Sequence, residues 1–334
     1  MIADARVLQP EFVPREVQHR DAEVNTLSSY VRPLTDGQTP DPVLLYGPSG
    51  VGKTCIAQFV MERLRESVVE LNHQYVNCWD DHTRFQTLHR LLEGINRAYD
   101  IHRQSTPRDV LLDRLRDYDG PPYVVILDEV DQLQDKDLLY ELHRIRHLSI
   151  IFIANREEDV FASLDERLQS RLRNSHRIHF TRYSNQELAA ILQVRARAGL
   201  ADSVINKQRL GHIAEHATGD ARIAIGILRK AAQAAHTNGY GEIRTETIEA
   251  AVSEAQLEIE REVLSRLKPH QQTIYDIIHE AGEIDPPTLY GKYERQVGDP
   301  KTNRTVRNYL AKLEQYNLIE ATGNTKARQY RVTD

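Results

Sequence analysis

The sequence predicts an α/β protein: a parallel five-stranded core with flanking helices, an all-helical unit after it, and a last unit of three helices closed by a β-hairpin. Three observations predict it. Between residues 43 and 180, short runs rich in β-branched and aromatic residues alternate with helix-patterned segments, the rhythm of a parallel sheet whose crossovers are helices. From Asn185 the strand signal stops and four amphipathic stretches follow. Near the C-terminus two alternating runs flank a Gly323-Asn324 pair, the turn chemistry of a hairpin.

The five strand candidates are VLLY (43–46), HQYVNC (73–78), YVVIL (123–127), SIIFIA (149–154) and HRIHF (176–180), each short enough for a buried strand. The helical unit begins with NQELAAILQVRARA, which carries a polar cap and an early Glu, a helix-start signature. Three more helices follow, in SVINKQRLGHIAEHAT, GDARIAIGILRKAAQAAHTNGY and TETIEAAVSEAQLEIEREVLSRL. The charged stretch around 254–267 leads out of this unit, and Pro269 is expected to stop it. The last unit has helices in HQQTIYDIIHEAG, PTLYGKYERQV and TNRTVRNYLAKLEQYNLI, then the runs LIEAT and ARQYRVT. Three helices and a hairpin make a winged helix. The implied division is 1–181 for the core, 182–255 for the helical lid and 256–334 for the winged helix.

Bulk properties exclude several classes. A chain of 334 residues has room for two or three cores. No apolar run approaches the ~18 residues of a membrane span, and the start lacks the basic-then-apolar pattern of an export signal. The expected setting is cytoplasmic, associated with the nucleoid, with no membrane partner. Cys55 and Cys78 have neither disulfide-framework density nor metal-ligand spacing. A net charge of -6 argues against a surface that is basic throughout, but leaves room for a local basic face. Nine of the 43 basic residues are Lys and the rest Arg, a bias that fits either genome composition or a salt-rich cytoplasm.

GPSGVGKT at 47–54 follows a strand and opens a helix, the context a phosphate-binding loop requires. Gly47, Gly50, Val51 and Gly52 bring backbone N–H groups around phosphate oxygens at a helix N-terminus, with Lys53, Thr54 and Cys55 beside them. Lys53 has the reach for β- and γ-phosphates, and the Thr54 hydroxyl suits Mg²⁺. The bland alternative is a glycine turn with an accidental lysine. YVVILDEVD delivers Asp128 and Glu129 at the end of a buried strand. Asp128 suits metal coordination with Thr54, and Glu129 suits activation of an attacking water. The cofactors expected are ATP or ADP with Mg²⁺.

In the last unit, Asn303 and Arg307 share one helical strip with Arg304 and Asn308 on the next, while Val306, Leu310 and Leu313 fall on the opposite face. Arg and Asn are the side chains that read guanine and adenine edges. The hairpin adds Lys326, Arg328 and Arg331; over 301–334 there are seven basic residues against three acidic. The alternative is a winged helix that mediates protein contacts.

Further residues carry a resemblance. SIIFIAN ends on Asn155, LDERLQSRL carries Arg171 in Ser-Arg, and GDAR carries Arg222. These resemble sensor 1, the arginine finger and sensor 2 of AAA+ ATPases, with Arg171 matching the finger better than Arg167. The order of AAA+ core, helical lid and winged helix, together with the entry pattern Pro14, Arg20 and Glu23, resembles the archaeal origin-recognition and cell-division-cycle-type replication initiators. That resemblance implies nucleotide contacts from Tyr183 and Arg195, and catalytic roles for Lys53, Asp128, Glu129, Asn155, Arg171 and Arg222. It also implies slow ATP hydrolysis, double-stranded origin DNA, a replicative helicase of the minichromosome-maintenance type, and other initiator copies as partners. The family's DNA-gripping helical insert would fall in residues 82–118, with Arg84, Arg97 and Arg103 as contacts; a plain flanking helix pair is the alternative there. Rival functions are a branch-migration motor, which needs a hairpin protruding from its core, and a regulator that uses nucleotide as a clamp.

Overall fold

Five strands form the central layer: β1 (Val43–Tyr46), β2 (Asn72–Asn77), β3 (Tyr123–Asp128), β4 (Leu148–Ala154) and β5 (His176–His179). All are parallel, in the order β2-β3-β4-β1-β5. The computed structural model describes residues 1–68, 70–102, 106–161, 175–323 and 328–333. Segment 162–174, which holds Arg167 and Arg171, lies outside them, as do Arg103 and Lys326.

β3 and β4 are buried along their whole length, so alternate side chains enter two cores. Val125, Leu127, Ile150 and Phe152 join Leu88, Leu91, Leu111 and Leu139 on one side. Val124, Ile126, Ile151 and Ile153 join Leu27, Ile56 and Val60 on the other. The first face is covered by α3 (Arg84–Glu93), α4 (Arg108–Arg116) and α5 (Asp137–His143), the second by α1 (Asp21–Val31) and α2 (Lys53–Ser67). A short α6 (Glu157–Phe161) follows β4. From β1 the chain crosses to the far edge at β2 and returns through β3 to β4, and from β4 it crosses past β1 to β5, so the connections after the neighbouring strands β1 and β4 run in opposite directions. Such a reversal opens a crevice at the strands' carboxyl ends, and residues 47–54 sit there.

The lid comprises α7 (Asn185–Gly199), α8 (Lys207–His216), α9 (Ala221–Thr237) and the start of α10 (Thr245–Ser265). Ser184 and Glu187 form the capping box expected at α7, and Asn206 and Asp220 cap α8 and α9. The chain forms two compact units, Met1–Glu254 and Ala255–Asp334, so core and lid make one body. α10 is continuous across that division.

Pro269 does more than stop a helix: it occupies the first turn of α11 (Pro269–Ala281), where a missing N–H leaves no bond unmade. The second unit continues with β6 (Glu283–Ile284), α12 (Pro286–Gln296), α13 (Asn303–Gln315), β7 (Ile319–Thr322) and β8 (Gln329–Val332). Its antiparallel sheet runs β6-β8-β7. This is winged-helix topology, built on a core that includes Ile274, Ile278, Leu289, Tyr293, Val306, Leu310 and Leu313. Among the described residues no helix is long and apolar enough to cross a membrane.

Candidate nucleotide site and nucleic-acid interface

The loop after β1 turns on glycines that tolerate no side chain. Gly50 adopts φ +73°, and a Cβ there would collide with the Asp220 carboxylate. A Cβ on Gly47 would collide with the Phe180 carbonyl. Val51 is fully buried and anchors the loop to the core. α2 then begins with Lys53, whose Nζ donates to the carbonyls of Gly47 and Pro48, each at 2.7 Å, and to Asn155 Oδ1 at 3.2 Å. Burial lowers the Lys53 pKa to about 8; Asp128 opposes that shift, Arg222 adds to it, and Glu129 and Asp220 oppose it. Lysine, sensor-like asparagine and four further charges therefore share one site.

Thr54 Oγ1 donates to Asp128 Oδ2 at 2.6 Å, and the Tyr75 hydroxyl donates to the same oxygen at 3.0 Å. Burial pushes the Asp128 carboxyl up, while Thr54, Tyr75 and Lys53 pull it back. The Thr54 hydroxyl and the Asp128 carboxylate stand side by side as hard oxygen donors, the ligand type Mg²⁺ takes with phosphate oxygens and water. The residues present fit that ion. Glu129 follows with φ 51° and ψ 44°, a left-handed conformation that costs a non-glycine residue roughly 1–3 kcal/mol and concentrates at functional sites. Asp220 stands inside GDAR without a role of its own in that motif, and Tyr75 carries no motif signal; parallel pairing of β2 with β3 brings Tyr75 to Asp128.

The lid reaches the loop directly. Ala221 N donates to the Gly50 carbonyl at 2.9 Å, and Asp220 Oδ1 accepts from the backbone N–H of Arg222 and Ile223 at 2.8 and 3.2 Å. Arg222 stands beside Asp220, with Nη2 3.4 Å from Oδ2. Tyr183 is buried with its hydroxyl against Gly52, and the Arg20 guanidinium lies 4.1 Å from its ring centroid. Arg20 also donates to Glu23 at 2.7 Å and to the Thr181 carbonyl at 2.6 Å, tying the entry segment to the start of the lid. Arg195 commits both terminal nitrogens to the carbonyls of Val7 and Phe12, each at 2.8 Å. Its position is that of a pin for the N-terminal segment. Cys55 is partly buried and Cys78 is a core residue.

The helix pair at 82–118 packs Leu88, Leu91, Leu111 and Leu115 into the core. Arg84 is bound to Asp135 at 3.1 Å and to Glu141. Arg97 donates to the Asp117 carbonyl and to Asp119, each at 3.0 Å. The two candidate DNA contacts that lie among the described residues are thus engaged within the fold, which favours the flanking-pair alternative.

On α13, Asn303, Arg304, Arg307 and Asn308 are exposed, while Val306, Leu310 and Leu313 are buried, as the periodicity requires. Among the described residues Arg304 and Arg307 have no carboxylate partner; Arg307 Nε approaches the Tyr290 hydroxyl at 3.4 Å. The hairpin differs. Arg328 pairs with Glu314 at 3.1 Å and Arg331 with Glu320, and ahead of α13 Lys301 pairs with Asp299. Among the described residues, local acidic residues therefore offset three of the charges counted in the sequence, and Arg304 and Arg307 at the start of α13 are left without a carboxylate partner.

Two family models match the chain: an AAA ATPase domain over residues 16–153, and a Cdc6 AAA+ ATPase-type lid domain over residues 189–253. An ORC1-type DNA replication protein 1 of Halobacterium salinarum is 60% identical over 308 residues, covering 92% of this chain and all of that protein. The same organism's ORC1-type DNA replication protein 9 is 49% identical over 334 residues, covering 100% of this chain and 94% of that one. Among solved structures, Aeropyrum pernix ORC1 in complex with DNA matches with a TM-score of 0.78 and 25% identity, covering 99% of this chain and 93% of that one. The Thermotoga maritima RuvB branch-migration motor matches with a TM-score of 0.56 at 19% identity, a likeness of fold alone. At this identity and coverage the assignment is direct: the chain belongs to the ORC1-type DNA replication proteins.

Proposed function

We propose that this chain is an ATP-switched replication initiator that binds double-stranded origin DNA through α13 and assists loading of the replicative helicase. The observation that carries the DNA part is the exposed set Asn303, Arg304, Arg307 and Asn308 on a helix whose opposite face is core. Arginine and asparagine on such a face suit base edges and phosphates together. The A. pernix ORC1 structure contains DNA, which supports the same reading.

In the nucleotide site, backbone N–H groups of residues 47–54 cradle the phosphates and Lys53 turns from its loop carbonyls toward the β- and γ-oxygens. Thr54 and Asp128 hold Mg²⁺, which neutralises phosphate charge when bound. Glu129 orients and deprotonates the attacking water, Asn155 positions the γ-phosphate, and Arg222 meets the phosphates from the lid. Tyr183 and the Arg20–Glu23 pair line the nucleotide's approach. Arg171 acts on a neighbouring copy's nucleotide, so assembly with other initiators completes the site. Hydrolysis is slow and ends the active state. A branch-migration motor would need a core hairpin; between residues 78 and 123 the described regular elements are the helices α3 and α4.

Mapping this protein's sites across its genome tests the proposal. Coincidence with replication start points, sharpened when ATP turnover is blocked, is expected. Sites scattered without relation to those points would remove the initiator role while leaving DNA binding intact.

A further inference from the structure

Two imidazoles and a carboxylate converge on the lid, on residues that play no part in the nucleotide contacts. His212 and His216 stand one helical turn apart on α8, and Glu249 faces them from the first turns of α10. Glu249 Oε1 is 2.6 Å from His212 Nε2 and 3.7 Å from His216 Nε2. One donor atom from each residue lies within 4.8 Å of the others. Ligand atoms around a tetrahedral zinc stand about 3.3 Å apart, given metal–ligand bonds near 2.0–2.1 Å. To reach that spacing the 2.6 Å His212–Glu249 pair opens and the longer separations close, each by a side-chain rotation.

Three features separate this cluster from an ordinary surface ion pair. A His–Glu hydrogen bond accounts for His212 but not for His216, whose Nε2 faces the same oxygen from beyond hydrogen-bond range. The ring's other nitrogen, His212 Nδ1, has Glu215 3.8 Å away, beyond a hydrogen bond as it stands and one side-chain rotation from the outer-carboxylate position that orients a metal-bound imidazole. The frame is also set before any ion arrives. Ile243 N donates to the Val204 carbonyl at 2.8 Å, Arg209 holds Glu242 through two bonds of 2.7 and 3.3 Å, and Ile213 and Ile248 are fully buried.

We infer that His212, His216 and Glu249 form a binding site for a divalent transition metal, with Zn²⁺ its occupant. Two imidazoles and one carboxylate with a fourth position open to water are a zinc ligand set. Mg²⁺ and Ca²⁺, which demand oxygen ligands, are excluded. The ion replaces the proton between His212 and Glu249, draws in His216, and clips α8 to α10. Because α10 runs on across the division between the two units, the clip fixes the root of that helix.

The test uses the full chain, stripped of metal and free of nucleotide, titrated with Co²⁺ and then with Zn²⁺. One equivalent of Co²⁺ with the intense visible bands of a nitrogen-ligated tetrahedral site is expected, displaced by Zn²⁺, with a rise in Tm. His212→Ala/His216→Ala abolishes the bands. Glu249→Gln, which preserves size and can still hydrogen-bond His212, weakens Zn²⁺ binding while leaving the circular dichroism unchanged. No stoichiometric uptake by the folded wild type, or bands that survive in the double variant, overturns the site.

Discussion

At the head of α2 the charged groups are buried and meet one another, whereas Arg304 and Arg307 at the start of α13 are exposed to solvent. Lys53 touches two carbonyls and Asn155, and Asp128 takes bonds from Thr54, Tyr75 and the Glu129 backbone. Among the described residues Arg304 and Arg307 meet no carboxylate. On the proposed function the difference follows from ligand size. A nucleotide triphosphate fits inside a crevice, where low dielectric strengthens each contact and misplacement is costly. A duplex cannot be enclosed by one helix, so its contacts stay wet, individually weaker and sensitive to salt. The first region should therefore respond to single substitutions all-or-none, and the second by degrees.

Glu129→Gln tests the sharp end of that contrast. ATP turnover should fall about 100-fold or more, the usual scale for losing a general base, while ATP binding persists; unchanged steady-state phosphate release would remove Glu129 from the chemistry. Next in size, Arg304→Ala/Arg307→Ala should weaken duplex binding roughly tenfold to a hundredfold, the scale of one base-edge arginine at about 1–3 kcal/mol beside one wet phosphate contact. The slope of log affinity against log salt should flatten by up to about 2. ATP turnover should not change, and a duplex affinity equal to wild type in a gel-shift titration would move recognition off α13.

pH probes the buried region without a mutation. Lys53 in the free protein titrates at about 8, and phosphate anions favour its charged form. Binding therefore takes up a proton above that pH, and nucleotide affinity should be level below it and fall as pH rises, by up to about tenfold per unit. An affinity that stays flat to pH 9.5 in fluorescence titrations would contradict the shift. The smallest effect belongs to Arg328→Ala: its charge is already matched by Glu314, and such exposed pairs contribute about 0.2–1 kcal/mol. Duplex affinity should stay within about threefold of wild type; a loss as large as that of the α13 pair would mean that Glu314 releases Arg328 to DNA.

The phosphate loop, the strands and the inward face of α13 were legible because each depends on neighbours in sequence. Gly50 must take φ +73°, and a loop motif between strand and helix says so. Val306, Leu310 and Leu313 repeat at helical spacing. β6 escaped notice because two residues carry no period. The partners of Arg84, Arg97 and Arg328 escaped for another reason: they are set by which elements pack together. A count of basic residues over 301–334 could not see that Glu314 and Glu320 stand against the hairpin.

Local spacing alone determined the strand-loop-helix proposed to cradle phosphate, the acidic pair at the end of β3 and the amphipathic face of α13, since backbone geometry converts short-range pattern into those features. Tertiary structure alone decided that Asp220 and Tyr183 close on glycines of the loop, that Tyr75 supports Asp128, and that Arg195 pins the N-terminal segment. It also gathered His212, His216 and Glu249. Each of these pairs residues far apart in the chain, and only strand order and helix packing bring their side chains within bonding distance.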